Sequence, residues 1–189
     1  MLAARDRVLR GWFAAPRGLR AARWVLSCLL LIFVIIVAVP MSHTSSLPTI
    51  SYSRDLAVMT REARYPVVTP AGLPLSWASV SSGVALGGAN GPGTATWQLG
   101  YVTPSGTLAS VEQSDAAAAA FILRMTNSGT PQPPVRIAGL VWRASANPGR
   151  GQRSLSLTRP GGSTMIVTGN ASWAQLRVLA ASLRPQPHR

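Results

Sequence analysis

Lysine is absent from this chain of 189 residues, and cysteine, histidine and acidic residues are scarce. The one cysteine, Cys28, lies in an apolar run, so no disulfide can form within the region that follows it. The two histidines, His43 and His188, lie in a polar linker and beside the C-terminus. Without an internal histidine, lysine or cysteine, common serine nucleophiles and zinc or iron–sulfur ligand sets cannot be assembled. The composition therefore predicts a domain that is not an enzyme and that holds neither metal nor cofactor.

The few carboxylates leave one hydrolytic arrangement open. Glu112 and Asp115 form the one close acidic pair in the sheet-forming region, and an enzyme acting on envelope glycans could use paired carboxylates. Asp115 is also typical of the first turn of a helix, where a carboxylate stabilises the helix dipole by about 0.3–1 kcal/mol. We favour this structural role, with Ser114 as the helix cap, and keep the enzyme as an alternative.

What the chain does contain is one long uncharged apolar run, WVLSCLLLIFVIIVAV, from Trp24 to Val39. With the next two residues it approaches the ~20 residues that cross the hydrocarbon core of a bilayer. Six arginines precede the run, and the first positive charge after it is Arg54, which places the N-terminus in the cytoplasm. The run lacks the small-residue pattern of a signal-peptide cleavage site. We therefore expect a retained single-pass anchor in the plasma membrane, with the C-terminal domain outside the cytoplasm.

These features predict five segments along the chain. Residues 1–23 form a basic cytoplasmic tail, 24–41 the transmembrane signal-anchor helix, 42–52 a linker, 53–185 an extracytoplasmic domain and 186–189 a disordered C-terminus. The domain is large enough to bury a core of its own. The tail is too short for a cytoplasmic output domain, so a sensor, which is another alternative, would need a partner that signals.

Apolar periodicity predicts the elements of the outer domain. Alternation and turn residues favour strands at 77–86, 95–101, 107–112, 135–138, 140–144, 153–158 and 163–168, and helices that begin near residues 53, 114 and 172. Ser172 and Gln175 match a capping box. Because hairpins make antiparallel neighbours, we expect an α+β domain in which two or three helices cover one antiparallel sheet.

Four tryptophans and a glycine-rich loop invite functional interpretations. We expect Trp97 and Trp173 in the core, whereas Trp142, in a short hairpin, is the one most open to a surface role. The loop from Gly87 to Gly93 lacks the lysine and spacing of a phosphate loop and is interpreted as a mobile hairpin loop.

Every cation of the chain is an arginine, and the formal net charge is +13. The tail arginines are expected to meet membrane lipid rather than nucleic acid. In the outer domain, five arginines cluster in sequence across two hairpins as a candidate anionic-ligand face, and a solvated strand face is the alternative. They are Arg136, Arg143, Arg150, Arg153 and Arg159.

Several ordered motifs of the outer domain resemble a known family. They are Tyr65-Pro66-Val67 with Trp77, Trp97-Gln98-Leu99-Gly100-Tyr101-Val102-Thr103-Pro104, Glu112-Gln113-Ser114-Asp115, Val167-Thr168-Gly169 with Trp173, and Leu179-Ala180-Ala181-Ser182-Leu183-Arg184-Pro185. Through them the chain resembles the actinobacterial membrane-anchored proteins of domain-of-unknown-function family 4245. The resemblance implies a single-pass, outward-facing protein that is similar in fold to Mog1/PsbP-like domains. It brings no catalytic residues, because the family has no established activity.

The leading hypothesis is therefore a non-enzymatic, membrane-tethered domain that binds or scaffolds an envelope component. Its basic hairpins would meet anionic lipid, an anionic envelope polymer or an acidic envelope protein, and salt should weaken that contact.

Overall fold

The computed structural model describes residues 49–87 and 91–187, which lie within one compact unit spanning Ser46–Arg189. The helices of this part are α1 (Ser53–Glu62), α2 (Ala118–Met125) and α3 (Trp173–Ser182), with a 3-10 turn at Pro148–Arg150. The strands are β1 (Val68–Pro70), β2 (Ala78–Leu86), β3 (Ala95–Val102), β4 (Leu108–Ser114), β5 (Thr130–Ile137), β6 (Leu140–Asn147), β7 (Gln152–Thr158), β8 (Thr164–Gly169) and β9 (Leu183–Pro185). The expected α+β class and the three helices are confirmed.

Seven strands form one antiparallel sheet in the order β2-β3-β4-β8-β7-β6-β5, and β1 pairs with β9 in a separate antiparallel sheet. Most neighbours in the large sheet are hairpins of consecutive strands, as the turn residues predict. Strands β4 and β8 instead pair across a long connection that contains α2. This pairing places β4 and β8 in the interior of the sheet, where both of their faces can be covered.

One face of the large sheet carries the main hydrophobic core. The alternation along β3 directs Trp97 and Leu99 to this face, and register places Val111, Val167 and Leu155 beside them on β4, β8 and β7. We call this the core face. Helices α1 and α3 pack over it, and their buried residues include Met59, Leu176 and Leu179.

Helix α3 begins where its sequence predicts. The Ser172 hydroxyl accepts a hydrogen bond from the backbone N–H of Gln175, and the Gln175 side chain accepts one from the N–H of Ser172. This confirms the capping box. The Gln175 amide also donates to the Ser105 hydroxyl in the β3–β4 turn, so the cap fixes the helix to the sheet.

Helix α2 lies on the opposite face of the large sheet. Phe121 packs there with Ala116 and Ile166, in a cluster separate from the main core. Ile166 lies between the core residues Met165 and Val167 in sequence, so strand alternation directs it away from the main core. The domain is therefore covered on one face by two helices and the small sheet, and on the other by α2.

The small sheet of β1 and β9 is not predicted by the sequence. Its three-residue strands contain Pro70 and Pro185 and are too short to show a period. The Gln113 side chain on β4 holds this sheet, because its carbonyl accepts from the Val68 N–H at 2.9 Å and its amide donates to the Pro66 carbonyl at 2.9 Å. One residue beyond the predicted end of the domain, the Gln186 N–H donates to the Val67 carbonyl.

Two expectations about element bounds are corrected. Helix α2 begins at Ala118 rather than at Ser114-Asp115, because Ser114 continues β4 and the Asp115 carboxylate accepts a hydrogen bond from the Ala95 N–H at 2.8 Å. Strand β5 includes the three prolines that were expected to precede it. These prolines are tolerated because β5 is an edge strand whose register shifts between Gln132 and Val135.

No helix within residues 49–87 and 91–187 is long and apolar enough to cross a membrane. The predicted tail and anchor, most of the linker, the centre of the glycine-rich loop and His188 lie outside the described residues.

Replacing Gln113 by alanine is expected to destabilise the domain by about 2–3 kcal/mol, because the buried Val68 N–H loses its acceptor and a cavity forms. Urea unfolding of residues 46–189 measures this change. The matched control is Gln132→Ala on the exposed part of β5, which should change the unfolding free energy little. Equal effects of the two variants would contradict the role of Gln113.

Candidate functional site

The sheet face under α2 is lined mainly by polar side chains, and we call it the polar face. Register places Gln98 of β3 opposite Glu112 of β4, and Arg143 of β6 opposite Ser156 of β7, on this face. Its other members include Thr96, Ser110, Ser114, Ser154, Thr164, Ile166 and Thr168. Among the described residues no buried side-chain nitrogen or oxygen lacks a hydrogen-bond partner. The buried polar atoms of this face are thus all hydrogen-bonded, so the face can remain partly exposed without a complete cover of apolar residues.

Glu112 is the buried carboxylate of the polar face. Its residue is 5% exposed, and the Ser110 hydroxyl donates a hydrogen bond to its Oε1 at 3.3 Å. Burial raises the pKa of the Glu112 carboxyl to about 7, although the Ser110 hydrogen bond and the charge of Arg124 act in the opposite direction. A carboxyl with this pKa changes its charge near neutrality, so it can donate or accept a proton or hydrogen bond there.

An open hollow of about 220 Å³ adjoins Ser110 on the polar face. Its lining includes Ser81, Gln98, Ser110 and Thr168, and it contains no charged side chain. The hollow therefore offers hydroxyl and amide contacts to a polar ligand, with the Glu112 carboxyl bonded to one of its lining residues.

Glu112 and Asp115 do not form a joint acidic site. Glu112 faces α2, whereas the Asp115 carboxylate bonds to the backbone of β3 and raises the pKa of the nearby Tyr65 hydroxyl, which burial raises most. The Tyr65 hydroxyl itself donates to the Ala95 and Gln113 carbonyls. Asp115 thus has a structural role between strands, although not the helix-dipole role expected for it. The two carboxylates have different hydrogen-bond partners, and an enzymatic role for the pair stays a prediction.

Two of the five candidate arginines, Arg136 and Arg143, belong to the polar face. Arg136 pairs in register with Val141, two residues before Arg143, so all three side chains lie on one side of the β5–β6 hairpin. The Arg136 guanidinium donates to the Gly139 carbonyl in the hairpin turn at 3.2 Å. Both arginines are exposed.

The other three arginines lie elsewhere. Arg153 of β7 lies an odd number of residues from Ser156, so it belongs to the opposite face, where its guanidinium donates to the Ala171 carbonyl at 3.4 Å. Arg150 lies in the 3-10 turn between β6 and β7. Arg159 follows β7 at the other end of that strand. The five arginines therefore do not share one face, and binding of an anionic ligand stays a prediction that rests on Arg136 and Arg143.

The three tryptophans singled out in the sequence all lie in or against the main core. Trp97 is fully buried and Trp173 packs against the main core, as expected. Trp142 is 2% exposed and lies in the same core, so the surface role left open for it is wrong. Register explains this burial, because Trp142 pairs with Val135 on the side of the hairpin opposite to Arg143.

The sequence gives no sign that Glu112 is buried. A glutamate near the end of a strand is usually solvated, and its burial here depends on α2, which crosses the face of β8. The sequence of α2 does carry a signal of a different kind, which is that one of its apolar side chains must be exposed. Phe121, Ile122 and Leu123 are consecutive, and three adjacent apolar residues cannot all lie on one helix face. Leu123 is accordingly 60% exposed.

Within the described ranges no group of three metal-ligating side chains occurs, and the sequence places no histidine, lysine or cysteine there. The carboxylates have intramolecular partners. Asp55 accepts from the Ser82 hydroxyl, Glu62 pairs with Arg61, and Glu112 and Asp115 are bonded as described above. The arrangement can therefore offer hydrogen bonds and arginine cations to a ligand.

Fold and site define an α+β domain with a seven-stranded antiparallel sheet, a closed apolar face and a partly open, polar and basic face. The chain matches the family described as "Protein of unknown function (DUF4245)" over residues 20–183, and it belongs to that family. No curated protein matches the chain.

The raised pKa of Glu112 predicts a stability that falls as pH increases. Between about pH 4.5, where the unfolded carboxyl ionises, and about pH 7, the folded state holds the extra proton, so the unfolding free energy decreases with pH. The full loss is roughly 3 kcal/mol, reached above pH 7. Glu112→Gln should remove most of this slope and stabilise the domain at pH 8.

Denaturant unfolding of residues 46–189 across this pH range measures the effect. The matched control is Glu62→Gln, since the Glu62 carboxylate is exposed and pairs with Arg61 at the surface. The control should retain the slope of the unaltered protein. A slope that survives in Glu112→Gln would show that Glu112 does not cause it.

Proposed function

We propose that this protein is a non-enzymatic, membrane-tethered domain that binds an acidic component of the cell envelope. The proposal combines the apolar run at residues 24–39, which fits a single-pass anchor with its N-terminus in the cytoplasm, with the chemistry of the outer domain. In this arrangement the described residues lie on the outer side of the plasma membrane of an actinobacterium.

The observation that carries the proposal is an excess of arginine that internal carboxylates do not neutralise. Eleven arginines and four carboxylates fall within the described ranges, and each carboxylate is already engaged inside the domain. Most of the arginines are exposed. A surface with this charge attracts anionic lipid or polymer, and the attraction is screened by salt.

The polar face is the part of the domain that best suits such a partner. Arg136 and Arg143 lie there beside hydroxyl and amide groups, and α2 covers the neighbouring strands but leaves both arginines exposed. Guanidinium groups bind carboxylates and phosphates through paired hydrogen bonds, which favours an anionic partner over a neutral one. The described residues include no histidine or lysine that could serve a serine nucleophile as its base, which supports binding rather than catalysis.

The anchor predicts that the domain is accessible from outside the cell. A cysteine introduced at the exposed Ser76 should react with a membrane-impermeant maleimide in intact cells, whereas one at Ala14 in the tail should react after permeabilisation. Mass spectrometry of the purified chain measures the labelling. Labelling at Ala14 but not at Ser76 in intact cells would reverse the proposed orientation.

Binding to anionic partners predicts a salt dependence and a preferred face. Residues 46–189 should sediment with phosphatidylglycerol vesicles at about 0.1 M salt and be released at about 1 M, as the Debye length falls from about 10 to 3 Å. The Arg136→Gln/Arg143→Gln variant should bind more weakly than the control Arg54→Gln/Arg177→Gln, which removes the same charge from exposed positions on α1 and α3. Binding that ignores both salt and lipid charge would refute the proposal.

A further inference from the structure

A groove of about 310 Å³ runs between α2 and the polar face of β5, β6 and β7. Its α2 wall is apolar and consists of Ala119, Ile122 and Leu123, while Pro131 belongs to the strand side. Ligand sites in proteins are typically apolar hollows of roughly 300–1,000 Å³ with a few placed polar groups, and the groove lies at the lower end of that range.

Large apolar side chains in and near the groove are exposed. Leu123 is 60% exposed on α2, and Val141 is 51% exposed on the same side of the β5–β6 hairpin as Arg143. Exposed large apolar residues that flank a hollow are typical of a site for an apolar ligand or surface. The α2 wall of the groove therefore presents apolar surface to solvent.

Arg143 is the one charged residue that lines the groove. Within the described residues no carboxylate pairs with it, because each of the four has a different partner. The hydroxyls of Ser145 and Ser156 line the same part of the groove and can add neutral hydrogen bonds. A cation at one place in an otherwise uncharged, largely apolar hollow complements a ligand with an anionic head and an apolar chain.

Side-chain amides fix α2 in place, so the groove is formed before a ligand arrives. The Gln152 amide donates to the Met125 carbonyl at 2.7 Å, and the Asn147 amide donates to the Asn127 carbonyl at 2.8 Å. The Ser128 N–H donates to the Leu123 carbonyl and closes the end of the helix. A preformed site avoids the entropy cost of ordering its walls during binding.

The size and charge of the groove suit one narrow chain. Its volume of about 310 Å³ is at the lower end of the range for ligand sites, and its one charged side chain can hold one anionic head. We propose that the groove binds a single-chain anionic amphiphile of the fatty-acid class, with its carboxylate on Arg143 and its hydrocarbon chain along Ile122 and Leu123. This inference deepens the proposed function and rests on it for the location of the ligand in the envelope.

The test uses the full chain in nanodiscs of phosphatidylcholine and a decanoate that carries a photoreactive diazirine on its chain. Irradiation followed by peptide mass spectrometry should place labels within residues 119–131 and 143–145. Arg143→Gln should reduce this labelling about tenfold, which corresponds to about 1.4 kcal/mol. The matched control is Arg150→Gln, which removes the same charge from the exposed 3-10 turn and should leave labelling unchanged.

Two further arms separate the inference from its alternatives. Ala119→Trp should fill the groove and remove the labels while circular dichroism shows a folded domain. A diazirine decanol, which lacks the carboxylate, should label weakly.

Labels confined to residues 24–39, or equal labelling of the unaltered chain and Arg143→Gln, would overturn the inference. Vesicle binding that remains in Ala119→Trp would show that the proposed function stands without the groove. Groove labelling without salt-sensitive vesicle binding would show that the groove binds the amphiphile although the proposed function fails.

Discussion

The buried side chain of Gln113 is the interaction on which the arrangement of the domain depends. It lies fully buried on β4, and its two hydrogen bonds hold the backbone at Val68 and Pro66, so the small sheet is placed against the core face. That placement brings β9 beside β1, and β9 directly follows α3. A polar residue in the core thus helps to position the strand that follows the apolar helix α3. A buried amide accepts this position because both of its polar atoms are paired.

Much of the fold can be predicted from the sequence, because its signals are local. Alternation around Trp97 and turn residues define the hairpins, and Ser172 with Gln175 defines the start of α3. The small sheet cannot be predicted in this way, since each strand has three residues and the two partners are more than one hundred residues apart. The prolines of β5 mislead for a related reason. They exclude an interior strand but not an edge strand, and which strand lies at the edge is a property of the whole sheet.

The candidate site is less predictable than the fold. Arg143 and Arg153 are close in sequence, yet strand alternation places them on opposite faces of the sheet. Arg150 lies in a turn between strands, away from both faces. Glu112 is buried only because β4 is interior and α2 crosses the sheet above its neighbour β8. Neither condition is visible in a local pattern. The sequence therefore shows which kinds of side chain the domain contains, whereas the pairing of β4 with β8 determines which of these side chains lie close together.

The size of α2 explains why part of the polar face remains open to solvent. An eight-residue helix is about 12 Å long and about 10 Å wide, whereas seven strands at ~4.8 Å spacing extend over roughly 29 Å. One such helix cannot cover that face. The uncovered part remains stable because its serines and threonines bond to one another, as Ser154 does with Thr168. Beside α2, the apolar residues of the helix line a groove with Arg143 of β6, and an apolar wall beside a cation is the chemistry that the proposed anionic amphiphile requires.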